Sequence, residues 1–297
     1  MTEMICSGCP RRCAAVRSEE SGGGFCGMGR EPVIAKACVH RWEEPCISGE
    51  RGSGAIFFSG CALRCVFCQN YRISSENFGR RVSVERLREI CEKLIEIGVH
   101  NINLVNPTHF FEAVYRLLDR PLGVPVVYNT GGYERVETLR ALKGRVQIYL
   151  PDLKYSDDAL AEKYSGAPDY FGIACRAIEE MYSQTGAYRM DGDGMLQSGT
   201  VIRHLILPGQ LDNTRRVIDW VAQSFRPGEV LFSLMSQYIP CGRAKDGEFP
   251  ELARTLGRRE YDKIEEYLMF SDIEDGFFQE LSSASESYVP DFDLENV

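Results

Sequence analysis

No apolar run in this 297-residue chain approaches the length of a membrane-spanning helix, and the N-terminus lacks the basic-then-apolar pattern of a secretory leader. A cytoplasmic setting without a membrane partner is therefore expected. Basic stripes are missing too, so nothing reads as a nucleic-acid surface. The formal net charge is −9, but residues 271–297 alone carry eight Asp or Glu and no Lys or Arg, which leaves the remainder close to neutral. A tail of that composition is expected to be solvated and mobile, although Phe277, Phe278, Tyr288 and Phe292 are groups that can dock.

Cysteine, by contrast, is abundant. Nine of the twelve cysteines fall in the first 68 residues, and clustered thiols in a reducing compartment point to metal rather than to disulfides. The length suits one large α/β domain with a small appendage. The expected division is a cysteine-rich N-terminal module at 1–52, a main domain at 53–270 and the acidic tail at 271–297.

From about residue 53 onward, short β-branched or apolar runs alternate with amphipathic helical stretches. Strands are expected at 55–60, 101–105, 125–129, 146–150, 201–207 and 229–234. Helices are expected at 83–98, 108–119, 133–143, 157–182, 210–225 and 255–268. Val84, Leu87, Ile90, Cys91 and Leu94 recur at helical spacing, as do Val217, Ile218, Val221 and Phe225. Six βα units form either an open doubly wound sheet or a partial barrel, and both gather reactive groups at the carboxyl ends of the strands. Residues 186–199, with Met190-Asp191-Gly192-Asp193-Gly194, read as a surface turn, since the other ligand positions of a calcium loop are missing.

Directly after the first of these strands comes Gly60-Cys61-Ala62-Leu63-Arg64-Cys65-Val66-Phe67-Cys68-Gln69-Asn70-Tyr71. Three thiolates can hold three irons of a [4Fe-4S] cubane and leave the fourth iron free for a ligand. The competing reading is a zinc knuckle that borrows a fourth Cys, or simply buried thiols. Cys91, Cys175 and Cys241 lack partners at ligand spacing and read as small core residues.

The Cys-x3-Cys-x2-Cys spacing, with an aromatic before the third Cys, resembles the signature of the radical S-adenosylmethionine (SAM) superfamily. The resemblance implies a partial (β/α)6 TIM-like barrel, with Phe67 and Asn70 beside the cofactor. A closer likeness runs from Cys6 to about Tyr267. It is carried by His40-Arg41-Trp42-Glu43-Glu44-Pro45-Cys46-Ile47-Ser48-Gly49 and Gly54-Ala55-Ile56-Phe57-Phe58-Ser59-Gly60, and is to the pyruvate formate-lyase activating enzyme-like branch. This implies reductive cleavage of S-adenosylmethionine to a 5'-deoxyadenosyl radical, a one-electron donor such as flavodoxin or ferredoxin, and a glycine Cα in a protein substrate. The alternatives are an enzyme acting on another substrate and a non-catalytic metal-binding or electron-transfer module.

The superfamily's Gly-Gly-Glu motif after the second strand is absent here, where Asn106-Pro107-Thr108-His109 stands instead. Gly131-Gly132-Tyr133-Glu134 reads as a helix start. Asn129 and Thr130 are expected near the cofactor, against a turn-forming role. The resemblance implies the same for Asp152 and Lys154, against a surface ion pair, and for His204, against a satisfied core histidine. Alternation puts His204 and Arg203 on opposite strand faces. Ser236, Gln237 and Tyr238 are lesser candidates. At the N-terminus, Cys6, Cys9, Cys13 and Cys26 form a knuckle-like set suited to zinc or to an auxiliary iron-sulfur cluster, with zinc slightly favoured because four thiolates complete a tetrahedron.

Overall fold

A computed structural model describes residues 4–283 and 290–297 of the chain; Tyr288 lies outside them. In chain order the strands and helices are β1 (Met4–Ile5), β2 (Val16–Arg17), β3 (Val33–His40), α1 (Pro45–Ser48), β4 (Ser53–Phe58), α2 (Tyr71–Ser74), β5 (Arg80–Arg81) and α3 (Val84–Ile97). There follow β6 (Ile102–Val105), α4 (Phe111–Leu117), β7 (Val126–Thr130), α5 (Val136–Ala141), β8 (Ile148–Pro151), α6 (Asp158–Ser165) and α7 (Tyr170–Thr185). The last are β9 (Arg189–Met190), β10 (Leu196–Leu205), α8 (Leu211–Ser224), β11 (Leu231–Met235), α9 (Arg258–Met269) and β12 (Gly276–Phe278).

The main sheet runs β12-β11-β10-β8-β7-β6-β4-β3-β5. From β4 to β12 every neighbouring pair is parallel, and β3 and β5 close the other edge antiparallel. The six strands expected from periodicity are all present, and with their helices they make the partial barrel. Strand alternation sorts the side chains. Tyr128, Tyr149, Ile202 and Phe232 turn outward into cores shared with the helices, while Val127, Ile148, Leu150, Val201 and Leu231 turn into the lumen.

Local chemistry sets the helix ends. Ser83 accepts from Arg86 N (3.1 Å) to start α3, and Gly98, at φ +96°, stops it. The helix expected at 157–182 is in fact two. Asp157 caps α6 through Ala159 N and Leu160 N, Gly166 ends it in the left-handed conformation, and Pro168 precedes the restart as α7. The turn expected at 186–199 is a hairpin. Asp191 accepts from the backbone of Asp193 and Met195, and β10 begins there rather than at 201.

Two further departures matter for the site. The lead-in at 33–52 is part of the barrel. β3 pairs with β4, and α1 plugs the lower end, where Cys46 and Ile47 pack on the lumen residues Val127, Ile148, Leu150, Val201 and Leu231. Asn101 pins the plug by donating to Ile47 O (2.8 Å) and accepting from Ser53 Oγ (2.6 Å). The tail, expected to be mobile, supplies β12 and a docked end. Phe292 packs on Phe57, Leu294 N donates to Ala35 O, and Lys36 pairs with Asp293 (3.1 Å) and Glu295 (2.9 Å).

Candidate active site

β4 delivers the chain to the upper rim, where Gly60 turns it at φ +78°. A Cβ there would lie 2.6 Å from Met28 Cγ, 3.0 Å from Cys26 O and 3.1 Å from His109 Nε2, so only glycine fits. Beneath the turn, buried His109 holds Ser59 O at 2.7 Å, and Asn106 Nδ2 donates to Gly60 O at 2.9 Å. Asn106 itself sits at φ +60°. The residues that replace the expected glycines after the second strand therefore prop up the cysteine loop.

Cys61, Cys65 and Cys68 line one cavity of about 240 Å³ at the carboxyl ends of the parallel strands. The loop is held by Cys68 N to Cys65 O (3.1 Å) and by Val66 N to Tyr164 O (2.9 Å). Phe67 anchors it as well as lining the cavity, packing edge-on against Tyr155, Tyr164 and Tyr238. Burial raises the Cys65 thiol and pushes Cys68 up to about 12, and each is raised further by neighbouring thiols of the trio. Coordination would reverse this, because a bound cation deprotonates a thiol outright. Donors already point at the sulfurs, with Leu63 N 3.2 Å from Cys61 Sγ and Ser165 Oγ 3.0 Å from Cys65 Sγ. No group of three or more Cys, His, Asp or Glu among the described residues is arranged to hold a single metal ion. A cubane spreads its three ligands over three irons, and three thiols on one cavity with donors directed at sulfur are a set that suits it.

The cavity floor is a charged network. Arg203 donates through Nε to Asp152 Oδ1 (2.8 Å), through Nη1 to Glu43 Oε1 (2.6 Å) and through Nη2 to Asn129 Oδ1 (2.8 Å). Glu43 Oε2 accepts from Asn103 (2.8 Å) and Asn129 (3.0 Å), and Lys154 Nζ reaches Asp152 Oδ2 at 2.5 Å. Burial alone would raise Asp152, but Arg203 and Lys154 outweigh it and hold the carboxyl below its ordinary value. Lys154 is likewise raised by Asp152 against the effect of burial. Beside this network, Glu44 accepts from Ser233 Oγ (2.9 Å) and is pushed by burial up to about 7.

Of the residues expected beside a cofactor, Phe67, Asn70, Asn129, Thr130, Asp152 and Lys154 all line this cavity. Thr130, however, donates its hydroxyl to buried Glu134 (2.5 Å), which also receives Thr108. His204 is the correction. It faces the helices, with Nδ1 against Leu153 O (2.6 Å) and Nε2 against Thr214 Oγ1 (3.0 Å), so both ring nitrogens are satisfied in the core. Arg203, its neighbour on the lumen face, takes the place proposed for it. Alternation separates the two residues without saying which face is inside. Arg203 and Glu43 are thus the site residues that sequence reasoning missed, although Glu43 stands in the quoted His40–Gly49 stretch.

Among the lesser candidates, Gln237 lines the cavity, while Ser236 donates to the backbone of Gln279 and Glu280 and Tyr238 to Leu252 O. His100 meets Arg51 at the surface. Gly131-Gly132-Tyr133-Glu134 precedes α5, as expected, with Gly132 at φ +77°, where a Cβ would lie 2.3 Å from Asp152 O. The N-terminal thiols are mutual neighbours electrostatically. Burial pushes Cys9 up to about 12, with Cys6 and Cys26 adding to it, and Cys26 is raised by burial with Cys6 and Cys13 adding.

Comparison with known proteins places the chain. The family model described as the radical SAM superfamily matches residues 55–221. An uncharacterized protein of Methanocaldococcus jannaschii is 30% identical over 268 residues, covering 87% of this chain and 72% of that protein. Among solved structures, Streptococcus suis SuiB bound to S-adenosylmethionine superposes with a TM-score of 0.51 at 15% identity, over 75% of this chain and 49% of SuiB. SuiB bound to its precursor peptide SuiA gives 0.50 at 14%, over 75% and 48%. This chain therefore spans about half the length of these structures, and the likeness to them is one of fold.

Proposed function

The chain belongs to the radical SAM superfamily, and from that premise we propose that Cys61, Cys65 and Cys68 hold a [4Fe-4S] cluster whose open iron takes S-adenosylmethionine. The cluster, when bound and reduced, supplies the electron that cleaves the sulfonium and leaves a 5'-deoxyadenosyl radical able to take a hydrogen atom from a substrate. The observation that carries this reading is that the three thiols share one cavity with Asn129, Asp152, Lys154 and Arg203 at the carboxyl ends of the parallel strands. Lys154 keeps donors in hand beyond Asp152 and is the residue suited to a carboxylate of the cofactor. Asp152, held ionised, suits a hydroxyl or an ammonium. Phe57, Phe58, Leu63 and Phe67 give the cavity apolar walls suited to shielding a reactive carbon.

For the substrate, the activase-like reading is a glycine Cα in a partner protein, with a carrier such as flavodoxin or ferredoxin as reductant. A second reading, a small polar substrate, is favoured by the satisfied charged floor of Glu43, Asn129 and Arg203, which offers fixed partners deep in the lumen. The thiols Cys6, Cys9, Cys13 and Cys26 are proposed as a second metal centre; since no three Cys among the described residues are arranged for a single ion, the auxiliary cluster is preferred to the zinc expected from their spacing.

The test is anaerobic reconstitution with iron and sulfide, dithionite reduction and detection of 5'-deoxyadenosine, with Cys65→Ala as control. Product that disappears in the variant supports the reading. A reduced, spectroscopically intact cluster that yields none sinks it. Deuterium carried into 5'-deoxyadenosine from a glycine-labelled protein, rather than from labelled small molecules, separates the two substrate classes.

A further inference from the structure

The C-terminal end of α6 abuts the cysteine loop, and the last carbonyls of a helix have no partner within it. Here Tyr164 O accepts from Val66 N in that loop, and the guanidinium of Arg11 takes the next two, Ser165 O (2.6 Å through Nη2) and Gly166 O (through Nη1). Its Nε donates to Ala62 O at 2.6 Å. One cation therefore joins three segments: the loop between Cys9 and Cys13, the residue after Cys61, and the end of α6. It stands where a helix dipole favours positive charge and stacks 3.8 Å over Phe25, next to Cys26.

Ser165, so fixed, is 3% exposed. Its hydroxyl lies 3.0 Å from Cys65 Sγ and 2.7 Å from Tyr155 OH, and Tyr155 is fully buried. With a thiolate at Cys65, the Ser165 hydroxyl donates its hydrogen bond to sulfur and the Tyr155 hydroxyl donates to Ser165 Oγ. Hydrogen bonds to the ligand sulfurs are among the groups that set a cluster's reduction potential. Such a bond strengthens as negative charge accumulates, so it favours the reduced state.

We infer that Ser165 is a positioning residue that raises the electron affinity of the metal centre at Cys65, and that Arg11 couples this setting to the N-terminal thiol module. The inference rests on the cluster proposed above. Its test is a mediated redox titration of the reconstituted full chain followed by electron paramagnetic resonance, with iron and acid-labile sulfide measured per chain. Ser165→Ala is expected to lower the reduced-to-oxidised ratio at fixed potential about tenfold, which for one electron is ~59 mV toward more negative values. Ser165→Thr, which keeps the hydroxyl, returns toward wild type. Tyr155→Phe and Arg11→Gln shift the same way by less.

An unchanged potential in Ser165→Ala with full iron content overturns the inference. Should that variant lose its cluster, an unchanged potential in Tyr155→Phe overturns it instead. An unmoved Arg11→Gln overturns the coupling to the N-terminal module. Wild-type protein that takes up no cluster overturns the cluster reading and the inference with it, a result distinguishable from the others by iron content alone.

Discussion

Asp152 and Glu134 follow neighbouring strands, β8 and β7, and both are withdrawn from water, yet their carboxyls are shifted in opposite directions. Asp152 faces two cations in the lumen and lies below its ordinary value. Glu134, on the helix side, meets the hydroxyls of Thr108 and Thr130, and burial pushes it up to about 7. His204, also on the helix side, is pushed by burial down to about 4. Burial does not by itself decide ionisation; the sign of the nearest partner does. Glu44 makes the same point from the lumen side, where Ser233 is its hydrogen-bond partner and burial raises it as it raises Glu134.

The largest way to break this contrast is Arg203→Met, which leaves the largely buried carboxylates of Glu43 and Asp152, 11% and 15% exposed, without their guanidinium. A loss of about 3–5 kcal/mol in urea unfolding is expected; a loss near zero would mean that the floor tolerates unpaired carboxylates and is not built around this cation. Next come the two outer groups. Because Glu134 is raised when folded, its contribution is complete below pH 4.5 and is lost as pH rises through about 7. Glu134→Gln should therefore remove a fall in stability of about 3 kcal/mol across that window.

His204 works the other way. Its folded value is depressed, so its contribution is complete above pH 6.5 and is lost as pH falls through about 4. Replacing it with Gln should flatten the acid limb by a comparable amount, and parallel slopes in variant and wild type would count against a neutral buried imidazole. The smallest effect is expected at Lys36, whose carboxylate partners in the tail are half exposed. Lys36→Met should cost about 1 kcal/mol or less by thermal unfolding, fading with added salt.

Periodicity made the six strands and the position of the cysteine loop legible, because a fully buried parallel strand reads as a short apolar run bounded by turn residues. It did not reveal β3, since an antiparallel strand in a cysteine-rich lead-in carries no βα rhythm. The short plug at Pro45–Ser48 was hidden likewise, being too brief for helical periodicity. At the site, the Cys61–Cys68 spacing and the Asp152–Lys154 strand end could be read directly. Choosing between Arg203 and His204 required the inside of the barrel to be known. The signal lay in the following residues: Thr214 on α8 can meet only the face of β10 that carries His204, which leaves Arg203 to the lumen. Glu43 was unreadable because its partners Asn103, Asn129 and Arg203 are 60 to 160 residues away.

The plug at the lower end of the barrel has a kinetic meaning. With Cys46 and Ile47 filling that end, two molecules sharing the lumen stand in a queue rather than side by side at separate doors. A molecule bound against Glu43 and Arg203 beneath a second one at the rim would arrive first and depart last. Initial-rate patterns would then be ordered rather than random, and an inhibitor lodged at the rim would trap the deeper occupant instead of competing with it.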